Sequence, residues 1–281
     1  MAGLCRIGEV EIGSGRPLAV IAGPCTLESV DLAARVGERM RDACARLGLG
    51  YVFKASFDKA NRTSVQSPRG PGLEEGLAAL SEVKRRLGTA VTTDVHLPAQ
   101  ADAAGEVVDA LQIPAFLCRQ TDLLAACGKS AARFGRAVSV KKGQFLSPGE
   151  MAGPVGKLLE SGCENVMMIE RGTFFGYGRL VNDFLGLGDM MELTVRGQGP
   201  WPVCFDCTHS TQIPGAGATT GGRPERAALL ARASVAAGVD AVFLETHPAP
   251  KEALSDAATM LSLEEAESLL ESLAAIGGRV R

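Results

Sequence analysis

Cationic side chains follow several short apolar runs in this chain, at or just after the end of each run. Lys54 closes the run YVFK, Lys141 closes AVSVK, and Arg171 follows NVMMIE. The same set includes Lys59, Arg62 and Lys142, with the hydroxyl residues Ser56 and Thr63. Loop cations are often merely solvated, but several strands directing them to one place would bind phosphate or carboxylate groups. The set therefore predicts a site for one or two small anionic molecules.

A second group of side chains has the chemistry of metal ligands. His209 ends the run PVCFDCTH, Glu245 ends AVFLE, and Asp256 lies in the segment LSDAAT beyond it. Cys25 ends the first apolar run, LAVIAGPC. Such a mixture of soft and hard ligands suits a borderline divalent ion such as Fe²⁺, Zn²⁺, Mn²⁺ or Co²⁺. Spacing alone is weak evidence, so this prediction depends on a fold that brings the four residues together.

Eight short apolar runs divide the chain, and each finishes on a polar or chargeable residue. In chain order these residues are Cys25, Lys54, Asp94, Gln112, Lys141, Arg171, His209 and Glu245. Most of the gaps hold Ala- and Leu-rich segments long enough for a helix. A strand–helix unit repeated eight times over about 250 residues predicts an α/β fold of the (β/α)8 TIM-barrel type. Barrel strands end at one face, and ring closure sets the first strand beside the eighth, so the eight residues would share one site.

The remaining segments have predicted places around this barrel. Residues 1–16 alternate weakly and are expected to form a short β-hairpin that caps the bottom of the barrel. Helices are predicted over 29–47, 73–87, 98–105, 120–134, 148–161, 223–237 and 262–276. Two long connections, 58–72 and 210–222, would lie over the catalytic face. Because no linker divides the chain, residues 1–281 are predicted to form one barrel domain.

Composition excludes several classes of protein. The net charge is −3 and no lysine-rich block is present, which argues against an extended nucleic-acid surface. Neither a signal peptide nor an apolar run long enough to span a bilayer is found, so no membrane partner is expected. The chain has 8 cysteines, which we interpret as reduced thiols of a cytoplasmic protein.

The motifs at these positions resemble those of the 3-deoxy-D-manno-octulosonate 8-phosphate synthases. The most specific is FKASFDKANRTS at 53–64, and RGPGLEEGL, TDVH, QIPAFLCRQTDLL, VKKGQF, ERGTFFGY, THSTQIPG and FLETHPAPKEALSDA follow in order. The resemblance runs from about residue 6 to 276. It implies a transferase of lipopolysaccharide biosynthesis that condenses phosphoenolpyruvate with D-arabinose 5-phosphate, as a cytoplasmic homotetramer.

Position 25 separates two classes within that family. Members that need no metal have Asn there in a Gly-Gly-Met-Asn context, whereas this chain has Ala22-Gly23-Pro24-Cys25, the pattern of metal-dependent members. The resemblance thus implies a divalent metal ion bound by Cys25, His209, Glu245 and Asp256. The residues predicted to take part in catalysis are Cys25, Lys54, Lys59, Asp94, Lys141 and His209. The task of Asp94 is left open.

The resemblance also implies two substrate-binding sets. Phosphoenolpyruvate would be bound by Lys54, Ser56, Lys59, Gln112, Lys141 and Arg171. Arabinose 5-phosphate would be bound by Asn61, Arg62 and Thr63, partly across a subunit interface. The chain departs from the usual family pattern at Gly178-Arg179, where Asn-Asn or Asp-Asn is typical.

Two other interpretations remain open from the sequence. One is a 3-deoxy-D-arabino-heptulosonate 7-phosphate synthase, a similar metal enzyme that uses erythrose 4-phosphate. Its motif typically reads Lys-Pro-Arg-Thr-Ser, whereas this chain has Lys59-Ala-Asn-Arg-Thr63-Ser64, which favours the five-carbon sugar. The other is a non-catalytic barrel that binds sugar phosphates. The complete ligand set and the cations argue against that interpretation.

Overall fold

Eight buried parallel strands form the centre of the protein, as described by a computed structural model over residues 3–62, 65–214 and 221–280. An antiparallel hairpin of β1 (Leu4–Ile7) and β2 (Val10–Gly13) precedes them. The eight barrel strands are β3 (Ala19–Gly23), β4 (Gly50–Lys54), β5 (Ala90–Asp94), β6 (Ala110–Ile113), β7 (Ala137–Lys141), β8 (Val166–Glu170), β9 (Val203–Asp206) and β12 (Ala241–Glu245). Between β9 and β12, β10 (Gln212–Ile213) and β11 (Gly221–Gly222) form a separate antiparallel ladder.

The barrel closes in the strand order β12-β3-β4-β5-β6-β7-β8-β9, which confirms the predicted TIM barrel. Glu245 at the end of β12 is paired with Gly23 at the end of β3, so the first and last barrel strands are neighbours. Gly23 is needed there because a Cβ atom would lie 2.1 Å from the Lys54 carbonyl oxygen. Parallel strands buried on both faces explain the nearly continuous apolar runs.

Helices cover the outside of the barrel. They are α1 (Val30–Leu47), α2 (Leu73–Leu87), α3 (Ala101–Val107), α4 (Thr121–Phe134), α5 (Ala152–Glu160), α6 (Phe184–Met191), α7 (Ala227–Ala237) and α8 (Leu263–Val280). The predicted helices are confirmed, although short 3₁₀ turns form the starts of three of them. Helix α6 was not predicted. Among the described residues, no helix is both long and apolar enough to cross a membrane.

The hairpin fills the N-terminal end of the barrel. Its buried side chains Cys5, Ile7 and Ile12 pack in one cluster with small residues that begin the barrel strands. Those small residues are Ala19, Ala90, Ala110, Ala137 and Ala241. Asn165, just before β8, fixes the hairpin from the barrel side, since its side chain exchanges two hydrogen bonds with the backbone of Arg6 at 2.8 and 2.7 Å. The hairpin expected at the N-terminus is therefore present and closes this end with apolar contacts.

Candidate functional site at the barrel mouth

A cleft of about 350 Å³ opens at the C-terminal end of the barrel strands. Of the sequence-predicted site residues, it is lined by Lys54, Lys59, Asn61, Arg62, Asp94, Lys141, Arg171, His209 and Asp256. The remaining predicted residues Cys25, Ser56, Gln112 and Glu245 are fully buried, and contact lining residues. Thr63 lies outside the described residues. The strand ends thus bring the predicted side chains to one place.

The four predicted metal ligands lie together. One ligand atom from each of Cys25, Glu245 and Asp256 falls within 4.8 Å of the others. The Cys25 thiol donates to Asp256 Oδ2 at 3.0 Å. His209 Nε2 completes the set, 3.6 Å from Glu245 Oε2 and 4.0 Å from Asp256 Oδ2. The group has a soft thiol, an imidazole and two hard carboxylates, which is the donor set of a borderline divalent ion.

Two features of this group fit a cation that binds between its members. Glu245 Oε2 is buried and has no hydrogen-bond partner among the described residues, although an unpaired buried carboxylate oxygen is costly. Burial and the nearby carboxylates of Asp256 and Glu245 raise the pKa of the Cys25 thiol well above its usual value. Without a cation the thiol is therefore neutral. Its deprotonation would accompany metal binding.

The loop that carries Asp256 is held in an uncommon backbone conformation. Asp256 has φ = 50°, in the left-handed region that few non-glycine residues adopt. Glu28, in the loop after β3, accepts a hydrogen bond from the Leu254 amide at 3.1 Å and lies 3.6 Å from His247 Nε2. These contacts fix the loop after β12 against the loop after β3. The Asp256 carboxylate is thereby kept beside Cys25.

Asp94, at the end of β5, contacts polar side chains from the ends of the neighbouring strands β4 and β6. Its Oδ2 lies 3.1 Å from Lys54 Nζ and also accepts a short hydrogen bond from Ser56. Its Oδ1 accepts from Gln112 Nε2 at 2.7 Å. Burial would raise the Asp94 pKa, but the charges of Lys54, Lys59 and Lys141 outweigh it and hold the pKa well below the usual range. Asp94 is therefore an ionised anchor for the residues around it.

Lys54 connects this anchor to the metal-type ligands. Its Nζ lies 2.9 Å from Ser56 Oγ and 3.4 Å from Glu245 Oε1. Burial would lower the Lys54 pKa, but Asp94 and Glu245 more than compensate and the pKa is raised. Lys59 Nζ also donates to Ser56 Oγ, at 3.0 Å. Both lysines are thus charged at neutral pH and are held near one hydroxyl.

Lys141 and Arg171 are positioned by two residues that the sequence interpretation missed. Asp206, at the end of β9, lies 2.7 Å from Lys141 Nζ. Gln212 accepts a hydrogen bond from Arg171 Nη2 through Oε1, and its Nε2 donates to Asp256 Oδ1 at 3.3 Å. A signal for Asp206 was available, because a charged residue inside the buried run PVCFD requires a partner.

The loop after β4 forms one side of the cleft. Arg62 Nη1 donates to the Lys59 carbonyl oxygen at 2.8 Å, and Asn61 also lines the cleft. The base of this loop is fixed by paired hydrogen bonds from Arg69 to Asp58, at 2.9 and 2.6 Å. This side of the cleft has guanidinium and amide donors.

Lys142 was wrongly grouped with the anion-binding cations. Its side chain is buried, lies 3.5 Å from Glu170 Oε2, and donates to Thr173 Oγ1 at 3.2 Å. Alternation along an extended backbone sends Lys141 to the cleft and its neighbour to the opposite side. Lys142 therefore secures the loop after β8 and does not line the cleft.

A parallel barrel whose mouth sets buried cations against a thiol, a histidine and two carboxylates belongs to the class of (β/α)8 proteins with a small-anion site at the strand ends. Comparison with known families gives a more specific answer. The profile described as the DAHP synthetase I family matches residues 4–279. The chain belongs to this family.

Individual relatives are similar in sequence to this chain over nearly its whole length. A protein of Cyanothece sp. is 49% identical over 269 residues, which cover 95% of each chain. One of Desulfatibacillum aliphaticivorans is 50% identical with the same coverage. One of Desulfotalea psychrophila is 47% identical over 97% of this chain and 94% of its own. All three are named 2-dehydro-3-deoxyphosphooctonate aldolase, which confirms the resemblance found in the motifs.

Proposed function

We propose that this protein condenses phosphoenolpyruvate with D-arabinose 5-phosphate and water, giving 3-deoxy-D-manno-octulosonate 8-phosphate and phosphate. The proposal rests on the side chains that meet at the barrel mouth. Lys54, Lys141 and Arg171 face a thiol–histidine–carboxylate set across one cleft, in a chain about half identical to the named relatives. Two anionic substrates would be held side by side there, which favours their reaction through proximity.

Phosphoenolpyruvate fits the part of the cleft lined by the cations. Lys59, Lys141 and Arg171 offer charged donors for its phosphate and carboxylate, while Lys54 and Ser56, which are also expected to bind it, are held against Asp94. Their charges would stabilise the negative charge that develops on the departing phosphate. Gln112 is expected to contribute to the same site, and its amide donates to Asp94 Oδ1.

Arabinose 5-phosphate fits the side of the cleft that the loop after β4 forms. Asn61 and Arg62 would bind the sugar and its phosphate there, together with Thr63 from the same segment. In the proposed reaction the enol carbon of phosphoenolpyruvate attacks the sugar aldehyde, water adds to the resulting cationic carbon, and phosphate leaves. The sugar must therefore present its aldehyde toward the cations.

A divalent metal ion would be held by Cys25, His209, Glu245 and Asp256. The chemistry that such an ion supplies is Lewis acidity, either toward the aldehyde oxygen or toward the attacking water. The protein's own part is to keep the four ligand atoms together. Lys54 holds Glu245, and the Asp256 loop is fixed through Glu28 and His247.

The substrate assignment can be tested by measuring phosphate release from phosphoenolpyruvate with one aldose phosphate at a time. Arabinose 5-phosphate should support turnover, while erythrose 4-phosphate should support far less. A preference for erythrose 4-phosphate would instead make the chain a heptulosonate-phosphate synthase, in keeping with the name of the DAHP synthetase I family. No release with either sugar, in protein that is folded and loaded with a divalent ion, would indicate a non-catalytic barrel.

We also propose that the protein works as a cytoplasmic homotetramer. Large apolar side chains stand exposed on the segments after β6, β7 and β8, namely Phe116, Phe145, Phe175, Tyr177 and Leu185. Exposed apolar groups on neighbouring segments are typical of protein interfaces. Light scattering during size-exclusion chromatography should give a mass of four protomers. A monomer at assay concentration would contradict the proposal.

A further inference from the structure

Asp206 stands between the two sets of residues at the barrel mouth. Its carboxylate is fully buried at the end of β9. Oδ2 lies 2.7 Å from Lys141 Nζ and 2.8 Å from His209 Nδ1. Oδ1 accepts a hydrogen bond from the His209 amide at 3.0 Å. One carboxylate therefore contacts a cation that lines the anion site and the histidine of the metal-type set.

The contact with His209 determines which ring nitrogen is free. A carboxylate at 2.8 Å from Nδ1 favours the tautomer in which Nδ1 carries the proton. The lone pair is then on Nε2, the atom that faces Glu245 and Asp256 at 3.6 and 4.0 Å. Metal-binding histidines commonly use such an outer carboxylate to fix their tautomer and ring orientation.

The contact between Asp206 and Lys141 fixes the position of the Lys141 ammonium group. Lys141 Nζ lies between Asp206 and the face of the Phe243 ring, 3.9 Å from the ring centroid. Its Nζ is also 3.5 Å from His209 Nδ1. A lysine side chain has several rotatable bonds, so a fixed ammonium needs contacts of this kind. Asp206 thus limits where this cation can meet an anion.

We infer that Asp206 is a positioning residue that serves both halves of the mouth at once. It directs His209 Nε2 toward the metal ion, and it directs Lys141 Nζ toward the phosphoenolpyruvate anion. The inference rests on the proposed function, because it assumes that His209 is a metal ligand and Lys141 a substrate ligand. A buried ion pair with only a structural role would influence neither kind of binding.

The test compares Asp206→Asn with Asp109→Asn. Asp109 is a matched control because it is also a buried carboxylate beside two cations, Lys84 at 2.8 Å and Arg136 at 3.5 Å. It lies at the opposite end of the barrel, away from the proposed site. Each metal-stripped variant is titrated with Co²⁺, and the cobalt–thiolate absorption gives the dissociation constant. Asp206→Asn should weaken Co²⁺ binding by about 10–100-fold, the usual effect of removing an outer partner of a metal ligand.

Steady-state kinetics provide the second measurement on the same variants. Asp206→Asn, assayed with saturating Co²⁺, should have a raised KM for phosphoenolpyruvate because Lys141 has lost its anionic partner. Asp109→Asn should change stability while leaving both the Co²⁺ affinity and this KM as in the wild type. A folded Asp206→Asn protein with wild-type Co²⁺ affinity and KM would overturn the inference.

Two further results keep the inference separate from the proposed function. If wild-type protein binds Co²⁺ no better than Cys25→Ala does, the proposed metal site itself is wrong. If Asp206→Asn does not fold, ¹⁵N-histidine NMR of the Cd²⁺-loaded wild type decides, with His209→Asn used to assign the signal. A proton on Nδ1 and cadmium on Nε2 would support the inference, and cadmium on Nδ1 would overturn it.

Discussion

The two ends of the barrel interior differ in chemistry although the same strands build them. At the N-terminal end the strands begin with alanines, and the hairpin residues Ile7 and Ile12 fill the space between them. At the C-terminal end the strands finish on Lys54, Asp94 and Lys141, which are buried beside carboxylates and a thiol. The base is a packed apolar core, and the mouth is a network of paired charges.

This difference shows how the protein separates stability from chemistry. Burial of apolar side chains at the base contributes favourable free energy and needs no partners. Buried charges at the mouth contribute little net stability, and each requires an opposite charge nearby. Substitutions at the mouth should therefore reduce activity more than stability, and substitutions at the base should do the reverse.

The largest effect is expected at the mouth, from Lys141→Met. This change removes one charged donor from the cleft while Asp206 keeps its contact with His209. Activity should fall by about 10²–10³-fold, the usual loss when one preorganised electrostatic group is removed. Thermal unfolding and phosphate-release kinetics on one preparation would separate the two effects. Lys129→Met, on the exposed side of α4, is the matched control and should behave as the wild type.

A large effect of the opposite kind is expected at the base, from Ile12→Ala. Ile12 is fully buried in the cluster that joins the hairpin to the barrel. The cavity left behind should lower the free energy of unfolding by about 2–5 kcal/mol. Urea unfolding measures this loss, and kcat should stay as in the wild type. A reduced kcat in fully folded Ile12→Ala protein would show that the two ends are not independent.

Much of the mouth was predictable because parallel strands place their last residues at one face. That rule alone predicts that Cys25, Lys54 and Glu245 lie close together. It does not predict where each side chain points, and Lys142 points away from the cleft because it directly follows Lys141 in an extended backbone. The residues that connect the two sets were also missed, since Asp206 is hidden in an apolar run and Gln212 follows it in a loop.

Helix α6 shows a different limit of the sequence. It spans only Phe184–Met191 and contains Gly186 and Gly188, which have poor helix propensity. Its start is defined by the side chain of Asp183, which accepts a hydrogen bond from the Leu185 amide at 3.0 Å. Packing and this cap determine the helix, and its sequence is too short to show a helical pattern of apolar residues.

A smaller effect at the mouth is expected from Gln212→Met. Methionine has a similar volume but removes the hydrogen bonds to Arg171 and Asp256. The KM for phosphoenolpyruvate should rise about tenfold, since a hydrogen bond to a charged group contributes roughly 1.5–3 kcal/mol, part of which water replaces. Gln212→Glu is the informative partner variant, because it would attract Arg171 but repel Asp256. Unchanged kinetics in both variants would show that Gln212 does not contribute to phosphoenolpyruvate binding.

The smallest effect is expected at the base, from Asn165→Ala. This substitution removes the pair of hydrogen bonds that joins the barrel to the Arg6 backbone of the hairpin. Unfolding free energy should fall by about 1 kcal/mol, because the freed groups can reach solvent. Hydrogen exchange should increase at the hairpin amides alone. Equal protection of those amides in variant and wild type would show that Asn165 does not hold the hairpin.

Occupancy of the proposed metal site and turnover can be measured in one experiment. Metal-stripped wild-type protein is titrated with Co²⁺ while the cobalt–thiolate absorption and the arabinose 5-phosphate-dependent release of phosphate are recorded together. Activity should rise in proportion to the absorption of the Cys25-bound ion and saturate at one ion per chain. Full activity before any thiolate absorption develops, or none once it is complete, would contradict this expectation.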